Sequence, residues 1–389
     1  MILSLILWIV KRSLAIDIYC KENETFLDRC LRILNGFMPR PSPLNVPIFW
    51  FLIIAFLSVF GSVLFADSFS SFFRKTMEWF IVYFLIIEVF LEKKHFKTLL
   101  IVFLVTLLAT CLDGLYQYYI SYKDVFVGHS IVPGDRLTAA FKTPNGLGGF
   151  LTIGFPVSLA LIFQARSSVL RKILFVLAVF LVLWVFFLTK CRGALIGSFL
   201  GLSIFFIFAN IRKRSLIVFL FMAFSMVFVC LFFFDRVKLF SPERVDSLSW
   251  RWQAWQSVLL MIQERPFFGH GINTFMRLFE FYRPQTSYDP TYAHNCFLQL
   301  TAETGVLGLV SFVFVIARFF SVSASTISLA VRHKIGYFYF GILAGLTAFL
   351  VHSFVDTNLY SLQLSILFWY TVGVLMALNS SLSTQQQGW

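Results

Sequence analysis

Long apolar runs constrain this chain more than any other feature of its sequence. About 20 consecutive apolar residues cross a bilayer as one helix, and ten runs of roughly this kind recur along the 389 residues. Only 13% of the residues are charged, against roughly 25% in soluble domains. The sequence therefore predicts membrane helices at 46–66, 77–91, 97–119, 145–165, 171–189, 193–211, 215–234, 297–320, 335–355 and 360–378.

These runs predict an all-α polytopic membrane protein with one membrane domain over residues 1–389. The apolar stretch Met1–Val10 is too short to span alone and indicates a signal anchor, a surface-lying segment or part of a further helix. One long insertion, residues 235–296, interrupts the bundle. The sequence has no inverted pair of Gly/Pro-broken helices, which lowers the expectation of a secondary transporter.

The distribution of Lys and Arg predicts the orientation of the bundle. Loops at 11–45, 92–97, 166–172, 212–214 and 321–334 hold 17 Lys and Arg residues, against 14 in the alternate set, seven of which lie in 235–296. By the positive-inside rule the first set is cytoplasmic and the long loop is external. The net charge of +13 is spread among membrane segments, so nucleic-acid binding is not expected.

The long loop contains an amphipathic helix pattern. Apolar residues recur at spacings of four, three, four and three, as expected of one helix face: Leu248, Trp252, Trp255, Leu259 and Ile262. With Trp250, three tryptophans fall within six residues, which is typical of a membrane interface. The pattern predicts a helix lying along the outer surface.

Two cations, Lys190 and Arg192, lie between the predicted helices 171–189 and 193–211. Basic side chains at a helix end commonly extend to the membrane interface, and this explains Lys190 fully. Arg192 precedes a glycine at the turn, on the side expected to be poor in positive charge. A guanidinium there suits paired hydrogen bonds to phosphate oxygens, so Arg192 is a candidate diphosphate contact.

Other external residues extend this hypothesis. Arg136 precedes a Pro/Gly-rich turn in which Asn145 is a candidate cap for the next helix. Arg244 and Arg251 lie before and on the amphipathic helix; loop arginines are usually solvated, but the position of Arg251 beside the apolar stripe favours a substrate contact.

His294 and Asn295 lie where a polar loop becomes an apolar helix. Asn295 is the expected N-cap, which places His294 at the outer mouth, where an imidazole can act as a general base. A lone histidine is more often structural. Glu303, in the same helix, is expected to be buried and partnered, and His352 and Asp356 are expected to form a membrane-facing pair on one helix.

Several site types are unsupported by the sequence. The external segments lack an Asp-x-Asp pair, a metal-ligand cluster, a Walker motif and a nucleophile elbow, so no metal or other cofactor is predicted. The six cysteines show no metal or disulfide spacing and are interpreted as packing residues.

A series of short motifs resembles the O-antigen ligase family, with its related polymerases and protein O-oligosaccharyltransferases. In chain order the matching stretches are 43–47, 65–67, 136–150, 189–197, 251–255, 265–271 and 294–308. The resemblance implies a bundle of about twelve helices of the GT-C type, compared with the ten runs counted here, in a bacterial inner membrane with a periplasmic active site.

The resemblance also implies the chemistry. The donor would be a glycan on undecaprenyl diphosphate, the reaction would invert the anomeric carbon, and no metal would take part. Arg192 and Arg251 would bind the diphosphate, with Arg136, Arg244, Asn145, Asn295 and Lys190 near substrate, and His294 would activate the acceptor. Trp252 and Trp255 could hold the polyprenyl chain or the sugar rings, in contact with membrane lipids.

The acceptor stays open at this point. A ligase would use lipid A-core and a polymerase another lipid-linked glycan; the short chain and moderate loop favour a ligase. A transporter is a further alternative, because Glu88, Asp113 and Asp356 fall within or beside apolar runs. A purely structural scaffold would leave the external basic residues unexplained.

Overall fold

The computed structural model describes residues 39–90, 93–132, 135–164, 169–208, 242–282, 292–333 and 335–386. Within these ranges the regular structure is helical, with two isolated bridges and no strands. Five of the described helices are long and apolar enough to cross a membrane, and three shorter apolar helices accompany them. The predicted all-α polytopic membrane fold is confirmed.

Twelve α-helices are described, and their bounds in chain order are α1 Asn45–Phe60, α2 Phe65–Ser71, α3 Met77–Val89, α4 Lys93–Tyr116, α5 Pro144–Gln164, α6 Val169–Leu188, α7 Arg192–Phe208, α8 Pro242–Glu264, α9 Phe275–Tyr282, α10 Cys296–Arg332, α11 Gly336–His352 and α12 Leu362–Gln386. π-helical turns at Phe72–Thr76 and Gln117–Ser121 extend α2 and α4, and a 3₁₀ turn at Asn358–Tyr360 precedes α12.

Nine of the ten predicted runs coincide with helices, with corrected ends. The run 46–66 is wrong beyond Phe60, because the Ser62 hydroxyl accepts from the Leu64 N–H and turns the chain before α2 begins. The helix α10 continues to Arg332, and α11 ends at His352. The run 215–234 and the stretch Met1–Val10 lie outside the described residues.

Helix α11 lies at the centre of the bundle, packed between α5 and α7. Its approach to α7 depends on two glycines: a Cβ at Gly197 would lie 2.5 Å from the Ala348 carbonyl oxygen, and one at Gly201 would lie 2.2 Å from that of Ala344. Small residues at such crossings allow backbones to touch, which is the usual basis of helix association in membranes. Substitution on this face would separate α7 from α11.

This packing brings distant turns together at one end of the bundle. The turn between α6 and α7 contacts the C-terminal end of α11, where the Cys191 Sγ lies 3.5 Å from the His352 Nε2. The N-terminus of α10 joins the same region, because the Cys296 N–H donates to the Ser353 carbonyl at 2.9 Å. The candidate residues therefore meet on one face of the membrane domain.

The long loop folds onto the same end. Its predicted helix is confirmed as α8, but the protein-facing side differs from the predicted apolar stripe: Ala254, Val258 and Met261 are buried, whereas Trp252 and Leu259 are exposed. The buried side packs with α9 and the start of α10 around Phe275 and Ala302, which are also buried. The small side chain of Ala254 permits this contact, and Trp252 lies on the exposed face of α8.

Candidate functional site

The turn between α6 and α7 presents its basic residues at the edge of the bundle. Lys190 has a left-handed backbone (φ 52°) where the chain reverses, and Arg192 is the first residue of α7 and is exposed. The Thr189 hydroxyl fixes the turn by accepting from the Cys191 N–H at 3.2 Å. Arg192 is thus anchored at its backbone and has an exposed side chain.

Arg136 is bound to this turn from a distant loop. Its Nε donates to the Thr189 carbonyl at 3.2 Å, and its terminal nitrogen donates to the Asn145 Oδ1 at 2.8 Å. The prediction that Asn145 caps α5 is wrong: the Thr143 hydroxyl accepts from the Gly146 N–H and serves as the cap. Asn145 instead orients the guanidinium of Arg136.

Charged side chains from several segments influence the pKa of the buried Cys191 thiol. Burial and, to a smaller extent, the Asp356 carboxylate raise the pKa of its thiol to about 12, against the lowering effect of the positive charges of Arg136 and Arg251. The His352 Nε2 lies 3.5 Å from the Cys191 Sγ and 4.0 Å from the Asp356 Oδ2, so the thiol and the carboxylate are close in space. Residues from four separate segments, around 136, 191, 251 and 356, therefore share one electrostatic site.

Helix N-termini add to the positive potential of this site. Helices α5, α7 and α10 begin at Pro144, Arg192 and Cys296, all beside the contacts just described. An α-helix carries about half a positive elementary charge at its N-terminus, which favours bound anions. The arrangement of cations and helix starts suits a diphosphate.

His294 is held by bonds on both sides of it in the chain. The indole N–H of Trp255 donates to the Ala293 carbonyl at 2.9 Å, and the predicted N-cap is confirmed, because the Asn295 side chain accepts from the N–H groups of Phe297 and Leu298. His294 itself has φ 49°, in the left-handed region that histidine, asparagine and aspartate enter more often than most other residues with a side chain do.

Those bonds give two of the predicted substrate contacts partners within the protein. Trp255 positions the loop before His294, and the side-chain oxygen of Asn295 is used in capping α10. Arg244 lies on α8 two turns before Arg251. The structure therefore places Arg136, Lys190, Arg192, Arg251 and His294 around the site and gives Trp255, Asn295 and Asn145 supporting positions.

Asp356 is the site residue whose role sequence reasoning missed. Its Oδ1 lies 3.3 Å from the His294 Nδ1, and its Oδ2 lies 4.0 Å from the His352 Nε2. Burial favours the neutral acid, but the adjacent imidazoles of His294 and His352 outweigh it and hold the pKa of Asp356 below its ordinary value. Asp356 is therefore a carboxylate at neutral pH.

The segment that carries Asp356 is fixed by Cys296. The Cys296 thiol donates to the Asp356 carbonyl and accepts from the Leu359 N–H, each at 3.4 Å. The predicted His352/Asp356 pair is wrong in its placement: α11 ends at His352, Asp356 lies in the following turn, and both residues are buried in the protein rather than facing lipid. The sequence signal that could have indicated the role of Asp356 is its position four residues after His352, at the predicted end of a helix.

A break in α10 lies close to the site and is filled by another segment of the chain. Gly305 has φ 71° inside the helix, and the stretch 266–271 fills the gap, with the Gly271 N–H donating to the Glu303 carbonyl at 2.8 Å. A Cβ at Gly305 would lie 2.0 Å from the Phe267 carbonyl oxygen, so no side chain fits there. The stretch 265–271 thus fixes the long loop to α10.

The expectation that Glu303 is buried and partnered is confirmed. Its carboxylate accepts from the Asn273 N–H at 2.9 Å and from the Tyr360 hydroxyl at 3.1 Å. The acids behind the transporter alternative also have local partners: Glu88 pairs with Arg40 at 3.3 Å, and Asp113 accepts from the Val125 N–H at 2.7 Å. Each of these carboxylates therefore stabilises a nearby contact.

Comparison with known proteins finds a similarity over part of this chain. Residues 177–313 match the model of a family described as O-antigen ligase, and this stretch includes Arg192, Arg251 and His294. No protein of curated function matches the chain. A chain of the solved structure described as "Structural coordination of polymerization and crosslinking by a peptidoglycan synthase complex" has a TM-score of 0.49 and 16% identity, covering 87% of this chain and 97% of that chain.

Proposed function

We propose that this protein, whose residues 177–313 match the model of the O-antigen ligase family, transfers a glycan from a lipid-linked diphosphate to an acceptor hydroxyl. The observation that best supports this proposal is the His294/Asp356 pair, in which the Nδ1 and the Oδ1 lie 3.3 Å apart. Arginine side chains lie near this pair. A general base beside an anion site is the minimum that this reaction requires.

The cations have the donor role in this proposal. Arg136, Arg192 and Arg251 bind the diphosphate, and the N-terminus of α7 adds its partial positive charge. Charge builds on the diphosphate oxygen as its bond to the anomeric carbon breaks, and fixed guanidinium groups stabilise that charge. A diphosphate is already a good leaving group, so the scheme uses no metal.

His294 and Asp356 have the acceptor role. The acceptor oxygen attacks the anomeric carbon from the face opposite the diphosphate, which inverts that carbon, and the hydroxyl proton passes to the Nε2 of His294. Asp356 faces the Nδ1 of the same ring and stabilises the imidazolium that forms. The proton, the new bond and the departing diphosphate are then all accounted for.

The specific reaction proposed is O-antigen ligation. The donor is an undecaprenyl-diphosphate glycan, the acceptor is lipid A-core, and the site faces the periplasm from a bacterial inner membrane. Support for this assignment comes from the family match, from the external placement of 235–296 by the positive-inside rule and from the clustering of site residues at one end of the bundle.

An assay with purified full-length protein in detergent tests the proposal. Undecaprenyl-diphosphate glycan and lipid A-core are expected to yield the conjugate, with the same rate when a chelator is present. A second reaction replaces lipid A-core with another lipid-linked glycan. Product only in that second reaction would identify a polymerase, and loss of product on chelation would contradict the metal-free scheme.

Replacement of the turn cations separates their roles. We expect Arg192→Ala to lower kcat/KM by roughly 10- to 100-fold, because a hydrogen bond to a charged group contributes about 1.5–3 kcal/mol. Lys190→Ala, the matched loss of a cation two residues away, is expected to change kcat/KM less than about threefold. Donor titrations measure both, and equal effects would favour interface anchoring over diphosphate binding.

A further inference from the structure

A partly open cavity adjoins the site but contains none of its arginines. This cavity, of about 370 Å³, lies between the α2–α3 junction and the break in α10. Its wall includes the aromatic rings of Trp79 and Tyr360 and the polar groups of Lys75, Asn273 and Glu303. The proposed transfer gives this cavity no role.

The cavity wall has equal numbers of formally basic and acidic side chains. Two cations, Arg74 and Lys75, line it together with two acids, Glu78 and Glu303, whereas the site around Cys191 has Arg136 and Arg251 against one carboxylate, with Arg192 next in the chain. The Lys75 Nζ is further engaged by the Asn273 Oδ1 at 2.7 Å. A diphosphate is therefore favoured at the arginines, and an uncharged ligand rich in hydroxyls is favoured in the cavity.

The wall of the cavity combines aromatic rings with hydrogen-bonding groups. The rings of Trp79 and Tyr360 meet edge to face with centroids 6.3 Å apart, and Glu303 lies beside Tyr360 through the 3.1 Å bond from its hydroxyl. A sugar ring has apolar C–H faces and a polar edge, so it requires both kinds of contact. Mostly apolar pockets with a few placed polar groups are typical of small-ligand sites.

Two connections join the cavity to His294. The Gln299 side chain accepts from the Ala293 N–H at 3.1 Å and donates to the Glu303 Oε1 at 3.3 Å. The rings of Tyr292 and Tyr360 lie 6.1 Å apart. Tyr292 is two residues before His294 in the chain, and Tyr360 is four residues after Asp356. The cavity wall is therefore linked by hydrogen bonds and a ring contact to the loop that carries His294.

We propose that this cavity binds an uncharged sugar residue of the glycan acceptor and holds its accepting hydroxyl toward His294. The inference rests on the proposed function and adds a location and a recognition chemistry for the acceptor. Trp79 and Tyr360 contact the ring faces, and Lys75, Glu78 and Glu303 bind the hydroxyl edge. Donor and acceptor then approach the base from two different parts of the structure.

Saccharide binding without donor tests this inference. Full-length protein in detergent is titrated with dephosphorylated core oligosaccharide released from lipid A by mild acid, and binding is followed by saturation-transfer NMR. Lys75→Met and Glu78→Gln are each expected to raise the Kd roughly tenfold, and Trp79→Phe to weaken ring contact without emptying the space. Lys123→Met, an exposed cation elsewhere, and Arg192→Ala are expected to bind as the wild type does.

Competition and turnover distinguish this inference from the proposed reaction. Inorganic pyrophosphate is expected to leave the oligosaccharide bound, because the anion occupies the arginines. Displacement by pyrophosphate, or binding unchanged in all three cavity variants, would overturn the inference. Acceptor KM values unaffected by these variants in an active enzyme would also overturn it. Cavity-dependent binding in a protein without transferase activity would support the subsite and contradict the reaction.

Discussion

The His294→Ala protein is expected to fold and to lose transferase activity by about 10²- to 10⁴-fold, the usual contribution of a positioned general base. Folding should persist because the side chain of His294 is 23% exposed and its loop is held by other groups, the indole of Trp255 and the cap of Asn295. Single-turnover rates with saturating donor and acceptor measure the loss. The melting temperature in detergent checks the fold.

A second variant separates chemistry from backbone strain. His294 has a left-handed backbone that asparagine adopts more readily than alanine does, so His294→Asn keeps the loop geometry while it removes the imidazole. His129→Ala is the matched control, because His129 also faces an acid, with its Nδ1 3.9 Å from the Asp124 Oδ2. Turnover near the wild-type level in His294→Asn would remove His294 from the base role.

Hydropathy was sufficient to locate most of the described membrane helices. A run of apolar residues has few alternatives in a bilayer, because every backbone polar group must be satisfied within the helix. The same logic correctly required partners for buried Glu303. It failed at helix ends such as Phe60, where one serine side chain competes with the backbone for a hydrogen bond.

Convergence of distant turns could not be predicted from composition or spacing. Arg136 and Thr189 meet because α5, α7 and α11 cross closely at glycines, and the sequence does not specify which helices pair. Asn145 is a residue type that commonly caps helices, but Thr143 lies one residue before the helix. Its hydroxyl accepts the capping bond from the Gly146 N–H instead. Local propensity thus identified candidate polar residues without identifying their partners.

Asp356 illustrates the limit most clearly. In the sequence it lies four residues after His352, the spacing of two residues on one helix face, and so it was interpreted as a partner of that histidine. The helix ends at His352, and the following turn directs the carboxylate to His294, 62 residues earlier in the chain. A helix end displaced by a few residues therefore changed the partner and the inferred role.

The pairing of Asp356 with His294 leads to the second prediction of a large effect. Asp356→Asn is expected to lower kcat by about 10²- to 10⁴-fold, because neutralising the acid of a His/Asp pair leaves the imidazolium without its counter-charge. Asparagine keeps the size of the side chain and an oxygen that can accept from the Thr357 N–H, as the Asp356 Oδ1 does at 2.7 Å. The turn should therefore remain folded. Asp124→Asn, which alters the pair with His129, is the matched control and should keep wild-type turnover.

The pH dependence of the Asp356→Asn protein separates charge from simple positioning. The carboxylate stays ionised at neutral pH because its pKa lies below the ordinary value. Its loss is therefore expected to move the acidic limb of the kcat profile to lower pH, since the protonated imidazole is less stabilised. A profile parallel to that of the wild type would indicate that Asp356 only positions the ring. Full activity in Asp356→Asn would contradict the pairing itself and leave His294 to act without a counter-charge.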